Sequence, residues 1–495
     1  MLDIAVQEEK TLFMRKAHRL SIALLAIGFA TLMPISHGAD DPNHHMILDS
    51  FGQLGTGESE IYALPESQVQ KIIKNIPSDS LANRQYCDSL TDGVCSQKTG
   101  LSLRIYLPVC SADVSSLCIE GLSMSGAQSS SLITARYIES TKGRTYSAIA
   151  SRGIPEASTP SRWQVPGIKN LSGSETYFVK VLLDGFISST TNKLYIFDIN
   201  AIVQGYINDG VNDQLAQISE DQRISLTLHL PNTVSGWING RLKSPSILIS
   251  KLDANENRVT VEANPVLVPE VDVTLTAQEV SALPDPSFFN TPNGSWSSTN
   301  AGSGSGIDWI KQLSGVMKDT ASGEHTSWFF STIGANAINS SNPCLEDKTR
   351  LVGLVTTNAA AYSPGAPEFL NGFLNYRVAG LHLRPDASSL SIGTYDLLIR
   401  SDVARCLYNF TNAPVSATVS VSYENSNKQI GTTIVNEKDG WLHLGAYGFT
   451  FSQPTVKIKL KGTVAKTSSI TCTKGKSTKK ITAAKPVCPK GWVKK

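Results

Sequence analysis

A chain of 495 residues is longer than a single hydrophobic core normally organises, so its length predicts two or three domains. Apolar residues make up 41% of the chain and charged residues 17%, which excludes a disordered, highly charged polymer. The formal net charge is +2, but this small value conceals an uneven distribution along the chain. The low charged fraction, together with many Ser, Thr, Gly and Asn residues, is typical of extracellular β-rich proteins.

The N-terminal region has the pattern of an export signal. Met14–Leu20 is basic, and Ser21–Ile35 is an apolar run followed by small residues. A transmembrane anchor is the alternative, but this run of about 15 residues is shorter than the roughly 20 that span a bilayer. We therefore predict that residues 1–38 are a signal peptide cleaved between Gly38 and Ala39, and that no transmembrane segment follows.

Residues 39–80 are predicted to form an irregular lead segment with one short helix. In the stretch PESQVQKIIKNI, from Pro65 to Ile76, apolar residues recur every three or four positions. This is the spacing of a short amphipathic helix.

Alternating apolar and polar residues dominate the next region, residues 81–280. LSLRIYL, from Leu101 to Leu107, and ISLTLHL, from Ile224 to Leu230, each place four apolar residues on one face. Such runs are half-buried strands of antiparallel sheets. The region is predicted to be a first β-sandwich domain.

A stretch rich in Pro, Gly, Ser and Asn, residues 281–306, has no periodicity and is predicted to be a linker. Residues 307–462 again alternate, in VSATVSVSY and TVKIKLKG, and are predicted to be a second sandwich domain. The predicted fold class is therefore all-β, with tandem antiparallel sandwich modules of immunoglobulin-like or jelly-roll-like type. The short N-terminal helix and a small C-terminal hairpin are its additions.

Eight cysteines in a chain predicted to be exported indicate disulfide bonds. Eight cysteines allow 105 pairings, and proximity in sequence favours Cys87 with Cys95, Cys110 with Cys118, Cys344 with Cys406, and Cys472 with Cys488. Zinc is the alternative, but the chain has neither C-x-x-C pairs nor histidines near the cysteines. No metal or cofactor is predicted.

The C-terminal tail, residues 463–495, contains nine lysines and no acidic residue, so it carries +9. Residues 1–38 carry +1, which leaves −8 on the body from 39 to 462. The tail lysines are Lys466, Lys474, Lys476, Lys479, Lys480, Lys485, Lys490, Lys494 and Lys495.

A disulfide between Cys472 and Cys488 would clamp these lysines in a small hairpin that turns near Gly475. Lysine is a compact point charge, so we expect the tail to bind polyanions such as anionic cell-wall polymers or acidic polysaccharides. A solvated, flexible terminus that only keeps the protein soluble is the alternative. We expect no nucleic-acid partner, because an exported protein works where nucleic acid is not the target.

The tail ITCTKGKSTKKITAAKPVCPKGW resembles a C-terminal signature of exported actinobacterial surface proteins, ITCxKGKxxKK[IV]TxxxPxCPxG[YW]. The stretch containing VARCLYNF resembles a β module in uncharacterised members of the same group. Trp492 stands where that group more often has Tyr. The resemblance covers about the last third of the chain and implies an exported, cell-surface protein without implying an activity.

No catalytic motif is complete in the sequence. GLSMSGAQSSS, from Gly121, lacks the second glycine of the G-x-S-x-G nucleophile elbow. DANENR, from Asp253, begins like a calcium loop but has Arg258 at the glycine position, and a hairpin turn is the better interpretation. Trp237 and Trp441, which each follow a glycine at a strand start, are predicted to pack in a core.

These features predict a secreted, non-catalytic surface protein that serves in adhesion, glycan contact or envelope structure. Its basic tail would retain it at the cell surface. The alternative is an exported hydrolase of polysaccharide or cell-wall polymer, whose site would be assembled from residues distant in sequence.

Overall fold

Strands make up most of this computed structural model. The residues that it describes are 57–73, 84–91, 93–96, 99–126, 129, 131–208, 213–289, 294–297, 304–333, 343–345, 349–363, 365–408, 415–423, 426–429, 432–451, 455–462, 468–475, 477–483 and 487–495. The predicted signal peptide and its cleavage point lie outside the described residues.

The strands before the predicted linker are β1 (Glu60–Leu64), β2 (Gln85–Tyr86), β3 (Gly100–Tyr106), β4 (Cys118–Met124), β5 (Ile133–Thr134), β6 (Arg136–Ser140), β7 (Ser161–Gln164), β8 (Thr176–Ile187), β9 (Leu194–Asn208), β10 (Asp213–Ala216), β11 (Ile224–Pro231), β12 (Gly236–Arg241), β13 (Lys243–Lys251), β14 (Glu256–Asn264), β15 (Val266–Glu270) and β16 (Asp272–Leu275).

The strands that follow are β17 (Gly294–Ser297), β18 (Gly323–Ser327), β19 (Phe329–Ile333), β20 (Leu351–Thr357), β21 (Ala361–Tyr362), β22 (Glu368–Leu370), β23 (Phe373–Ala379), β24 (Ile392–Arg400), β25 (Val415–Tyr423), β26 (Ser426–Gln429), β27 (Thr432–Lys438), β28 (Trp441–Thr450), β29 (Thr455–Gly462), β30 (Ser468–Lys474), β31 (Ser477–Ala483) and β32 (Val493–Lys494). The described α-helices are α1 (Glu66–Ile73), α2 (Gly93–Ser96), α3 (Ala277–Ser281), α4 (Gly304–Leu313) and α5 (Ser401–Tyr408).

The all-β prediction is confirmed, and the alternation that predicts the strands also determines their buried faces. On β11, Ile224, Leu226 and Leu228 are at most 1% exposed. Thr227 and His229, which point to the opposite face of the strand, are half-buried. Of the pairings between described strands, β12 with β20 is parallel and the others are antiparallel. The predicted helix from Pro65 to Ile76 appears as α1, and residues 74–76 lie outside the described part.

Three sheets account for most of the strands. The central sheet has 14 described strands and the main order β2-β1-β3-β8-β9-β19-β12-β20-β24-β28-β27. The five-stranded sheet has the order β13-β14-β11-β4-β5, and the six-stranded sheet contains β21-β23-β29-β25-β26 with β22 on β23.

Two hydrophobic clusters join these sheets into layers. One unites Leu103 and Val181 of the central sheet with Leu226 and Val261 of the five-stranded sheet. The other includes Leu397, Ile399 and Leu444 of the central sheet together with Leu374 and Ile458 of the six-stranded sheet. The central sheet therefore contributes to two cores.

Strands from both predicted sandwich regions share the central sheet. β12, which precedes the predicted linker, lies between β19 and β20, which follow it. The linker range 281–306 itself includes β17, which pairs with β16, and the first residues of α4. The predicted division into domains at these residues stays a prediction.

Four disulfide bonds brace the described chain, and no described cysteine is free. They join Cys87 to Cys95, Cys110 to Cys118, Cys344 to Cys406, and Cys472 to Cys488, which are the pairs that proximity favours. In the described part of the chain, no helix combines the length and apolar character that crossing a membrane requires.

Candidate functional site

The C-terminal tail forms a small three-stranded sheet, which we call the tail sheet. β30 lies in the middle, with β31 on one side and β32 on the other. Gly475, with a φ of 60°, turns the chain from β30 into β31, a conformation that glycine adopts without steric cost. The predicted hairpin is present, and β32 adds a third strand that the sequence does not predict.

The disulfide of the tail sheet lies on its middle strand, β30. Cys472 is fully buried, although it lies opposite Lys479 on β31 and Lys494 on β32. Its bond to Cys488 fixes the segment that leads into β32. Residues directly opposite in antiparallel strands share a face of the sheet. Lys479 and Lys494 are therefore held on the same face as the buried disulfide.

The described tail lysines are all exposed to solvent. They are Lys474, Lys479, Lys480, Lys490, Lys494 and Lys495, while Lys466, Lys476 and Lys485 lie outside the described residues. None of the ion pairs found in the described chain includes a tail lysine. The tail itself contains no acidic residue, so any counter-charge for these lysines comes from outside the tail.

The structure also contains a cluster relevant to the hydrolase alternative. Asp396 on β24 is fully buried and lies opposite Gly445. His443 and Tyr447 lie two positions before and after Gly445 on β28, so their side chains share its face of the strand. The imidazole Nε2 of His443 is 2.6 Å from Asp396 Oδ1, and the Tyr447 hydroxyl donates to the same oxygen.

Ser244, at the start of β13, completes this cluster. Its backbone N–H donates to Asp396 Oδ2 at 3.1 Å, and its Oγ is 3.2 Å from the Tyr447 hydroxyl. In a Ser-His-Asp triad the imidazole lies between the carboxylate and the serine. Here the tyrosine takes that place, and burial together with the Asp396 charge raises its pKa, so it remains a donor. The arrangement ties the five-stranded sheet to the central sheet.

The other candidates from the sequence occupy structural positions. Ser123, of the incomplete elbow motif, lies within β4 opposite Ser225 of β11, so the chain continues as a strand at this point. Asp253 accepts backbone hydrogen bonds from Asn255 at 2.6 Å and Glu256 at 3.0 Å in the β13–β14 hairpin.

Among the described residues, one group of potential metal ligands contains Cys110, Cys118 and His229, with ligand atoms within 4.8 Å of one another. The two sulfurs are joined in a disulfide, so they are not thiolate ligands.

The two tryptophans predicted to be core residues differ in burial. Trp237 is fully buried, and its indole N–H donates to the carbonyl of Leu345 at 3.2 Å. Trp441 is half-buried and packs against the core between the central and five-stranded sheets. The guanidinium of Arg400 lies 5.7 Å from the centre of its ring.

The body of the protein contains a second cationic site, which no pattern in the sequence predicts. It is a cleft of about 650 Å³ whose lining includes Lys193, Lys251, Arg350 and Arg400, and we call it the cationic cleft. The available sequence signal is Lys251, which continues the alternating apolar positions of β13. Its cationic companions come from distant segments and could not be assigned without the strand pairing.

Comparison with protein-family models and with curated proteins finds no match to this chain.

Proposed function

We propose that this protein is an exported, non-catalytic surface protein that the tail sheet retains on an anionic polymer of the cell envelope. It would serve in adhesion, glycan contact or envelope structure. We also propose that it belongs with the exported actinobacterial proteins that its tail resembles. The observation that supports retention is the exposure of six lysines on and beside a disulfide-clamped sheet.

Preorganised charge in the tail sheet favours binding to a repeating anion. Lysines on a flexible terminus spread apart, because like charges repel, whereas the strand pairing of the tail sheet fixes several ammonium groups near one another. A repeating anion can then contact several lysines at once and release the counterions that it had condensed. Binding of this kind needs no exact geometry, which suits lysine, and weakens steeply as salt screens the charges.

The test compares two full-length variants with equal changes in net charge. The tail variant replaces Lys474, Lys479 and Lys480 by Gln, and the body variant replaces the exposed residues Lys71, Lys142 and Lys169 by Gln. Binding to immobilised polygalacturonate is measured across a salt series, with neutral dextran as the blank.

The tail variant should bind more weakly and show a shallower dependence of log K on log salt. By analogy with nucleic acids, the slope should fall by about one unit for each lysine that contacts the polymer. The body variant should bind as the wild type does. Equal weakening of both variants would show that only net charge matters and would refute retention by the tail.

A further inference from the structure

The cationic cleft lies where the five-stranded sheet and the central sheet open at one end. Lys251 and Asn257 come from β13 and β14, and Arg400 from the end of β24. Lys193 precedes β9, and Arg350 precedes β20. All of these residues belong to the body of the protein, so a site here is independent of the proposed retention by the tail.

On the five-stranded sheet, the inward-facing positions change from apolar to polar at the cleft. Ile249 pairs with Val259, and two positions further on, Lys251 pairs with Asn257. Val259 is 4% exposed and belongs to the core between the sheets. Because side chains two positions apart share a face of a strand, Lys251 and Asn257 continue the core-facing face to its open end.

The central sheet shows the same change on the opposing face. Leu398 belongs to the core shared with the five-stranded sheet, and Arg400 lies two positions further along β24. Asp402 holds the two guanidinium groups, with Oδ2 2.6 Å from Arg350 Nη2 and Oδ1 3.4 Å from Arg400 Nε. Burial raises the pKa of Asp402, but the hydrogen bond from Arg350 and the charges of both arginines outweigh it and lower the pKa.

The cleft therefore contains four cationic side chains, and none of the described residues that line it is acidic. Asp402 beside it supplies one negative charge. Packed sheets lie about 10 Å apart, so Lys251 and Arg400, on facing inner surfaces, repel one another. An anion between them would remove this repulsion, and the amides of Asn232 and Asn257 add hydrogen-bonding groups.

We propose that the cationic cleft binds a phosphate ester with at least two negative charges. The volume is within the range of small-molecule sites and admits a sugar bisphosphate or one repeat of a phosphate-bearing polysaccharide. Guanidinium groups match phosphate oxygens in pairs. A phosphate monoester carries nearly two charges at neutral pH, so a small ligand can neutralise most of the cleft, whereas a uronic acid brings one charge per sugar.

The test is calorimetric titration of the full chain with fructose 1,6-bisphosphate, and with fructose and galacturonate as comparisons. Fructose should not bind, and galacturonate should bind at least about tenfold more weakly than the bisphosphate. Replacing both Lys193 and Lys251 by Gln should lower the affinity for the bisphosphate by at least about tenfold, since each removes a charge-assisted contact.

The controls separate the cleft from the tail and from general loss of structure. Replacing the same two lysines by Arg keeps the charge and should preserve binding. The tail variant with Lys474, Lys479 and Lys480 changed to Gln should bind the bisphosphate normally, whether or not the tail retains the protein on polymer.

Titration with sodium polyphosphate distinguishes the source of the phosphate. If the Gln double variant loses the bisphosphate alone, the occupant is a free ester, and if it also loses polyphosphate, the cleft accepts a polymer chain. The proposal is overturned by absence of bisphosphate binding, by equal binding of galacturonate, or by unchanged affinity in the Gln double variant.

Discussion

Asp198 allows a quantitative prediction about stability and pH. It is 3% exposed on β9 and accepts hydrogen bonds from Ser331 Oγ at 2.8 Å and Asn200 Nδ2 at 2.9 Å. Burial raises the pKa of its carboxyl group to about 6, and the hydrogen bonds, which lower the pKa, only partly offset it. In the unfolded chain the pKa returns to the ordinary value of 3.8.

The sign and size of the effect follow from proton linkage. Between about pH 4 and pH 6 the folded protein binds a proton at Asp198 that the unfolded chain has lost. The contribution of this group to stability is therefore present below pH 4 and is lost as the pH rises through 6. A difference of about 2 pKa units, at 1.36 kcal/mol per unit, corresponds to about 3 kcal/mol.

The perturbation is Asp198→Asn, which removes the titration, and the assay is urea unfolding at intervals from pH 4 to pH 7. Relative to the variant, the wild type should lose about 2 to 3 kcal/mol of unfolding free energy over this range. Asp113→Asn, at an exposed position, is the control with the same change in charge and should follow the wild type. Parallel profiles for the wild type and Asp198→Asn would refute the reasoning.

Three further predictions concern packing and disulfides. Gly353→Ala should destabilise the protein by about 1 to 3 kcal/mol in urea unfolding, because the added Cβ would lie 2.3 Å from the Trp237 ring. Gly121→Ala is the control and should cost less, because no atom lies within 4 Å of its added Cβ. Equal costs for the two variants would contradict this packing. Replacing Cys472 and Cys488 by Ser should destabilise the tail sheet by about 3 kcal/mol in the chain-entropy picture. Hydrogen exchange should then accelerate at Ile470 and Thr471 of β30 but not on β24, and unchanged exchange in the tail would contradict the clamp. Thiol titration of natively purified, denatured protein should find no free thiol among the eight cysteines, and several free thiols would contradict the bridged structure.

Local patterns were sufficient to predict the all-β class, several of the strands and the four disulfides. The faces of β11 follow from alternation alone, because a half-buried strand buries every second side chain in the core. The cysteines of the first two bridges are only eight residues apart, so proximity favoured their pairing. The lysines of the tail are visible by composition, and the hairpin by the position of Gly475.

Sheet order and the cationic cleft depend on contacts that no local pattern encodes. β12 lies between β19 and β20, which are far from it in sequence, and nothing in its six residues specifies those neighbours. Lys251 interrupts an apolar stripe, which is a visible signal, but Arg350 and Arg400 become its companions only through the packing of two sheets. The Asp396 cluster is hidden for the same reason.

The measurement that tests the central claim most directly is fractionation of cells that produce the full-length protein or the tail variant, across a salt series. Retention by the tail predicts that the wild type stays with the envelope at low salt and is released as salt rises. The variant with Lys474, Lys479 and Lys480 changed to Gln should appear in the medium at lower salt. Identical distributions of the two proteins at every salt concentration would contradict the account.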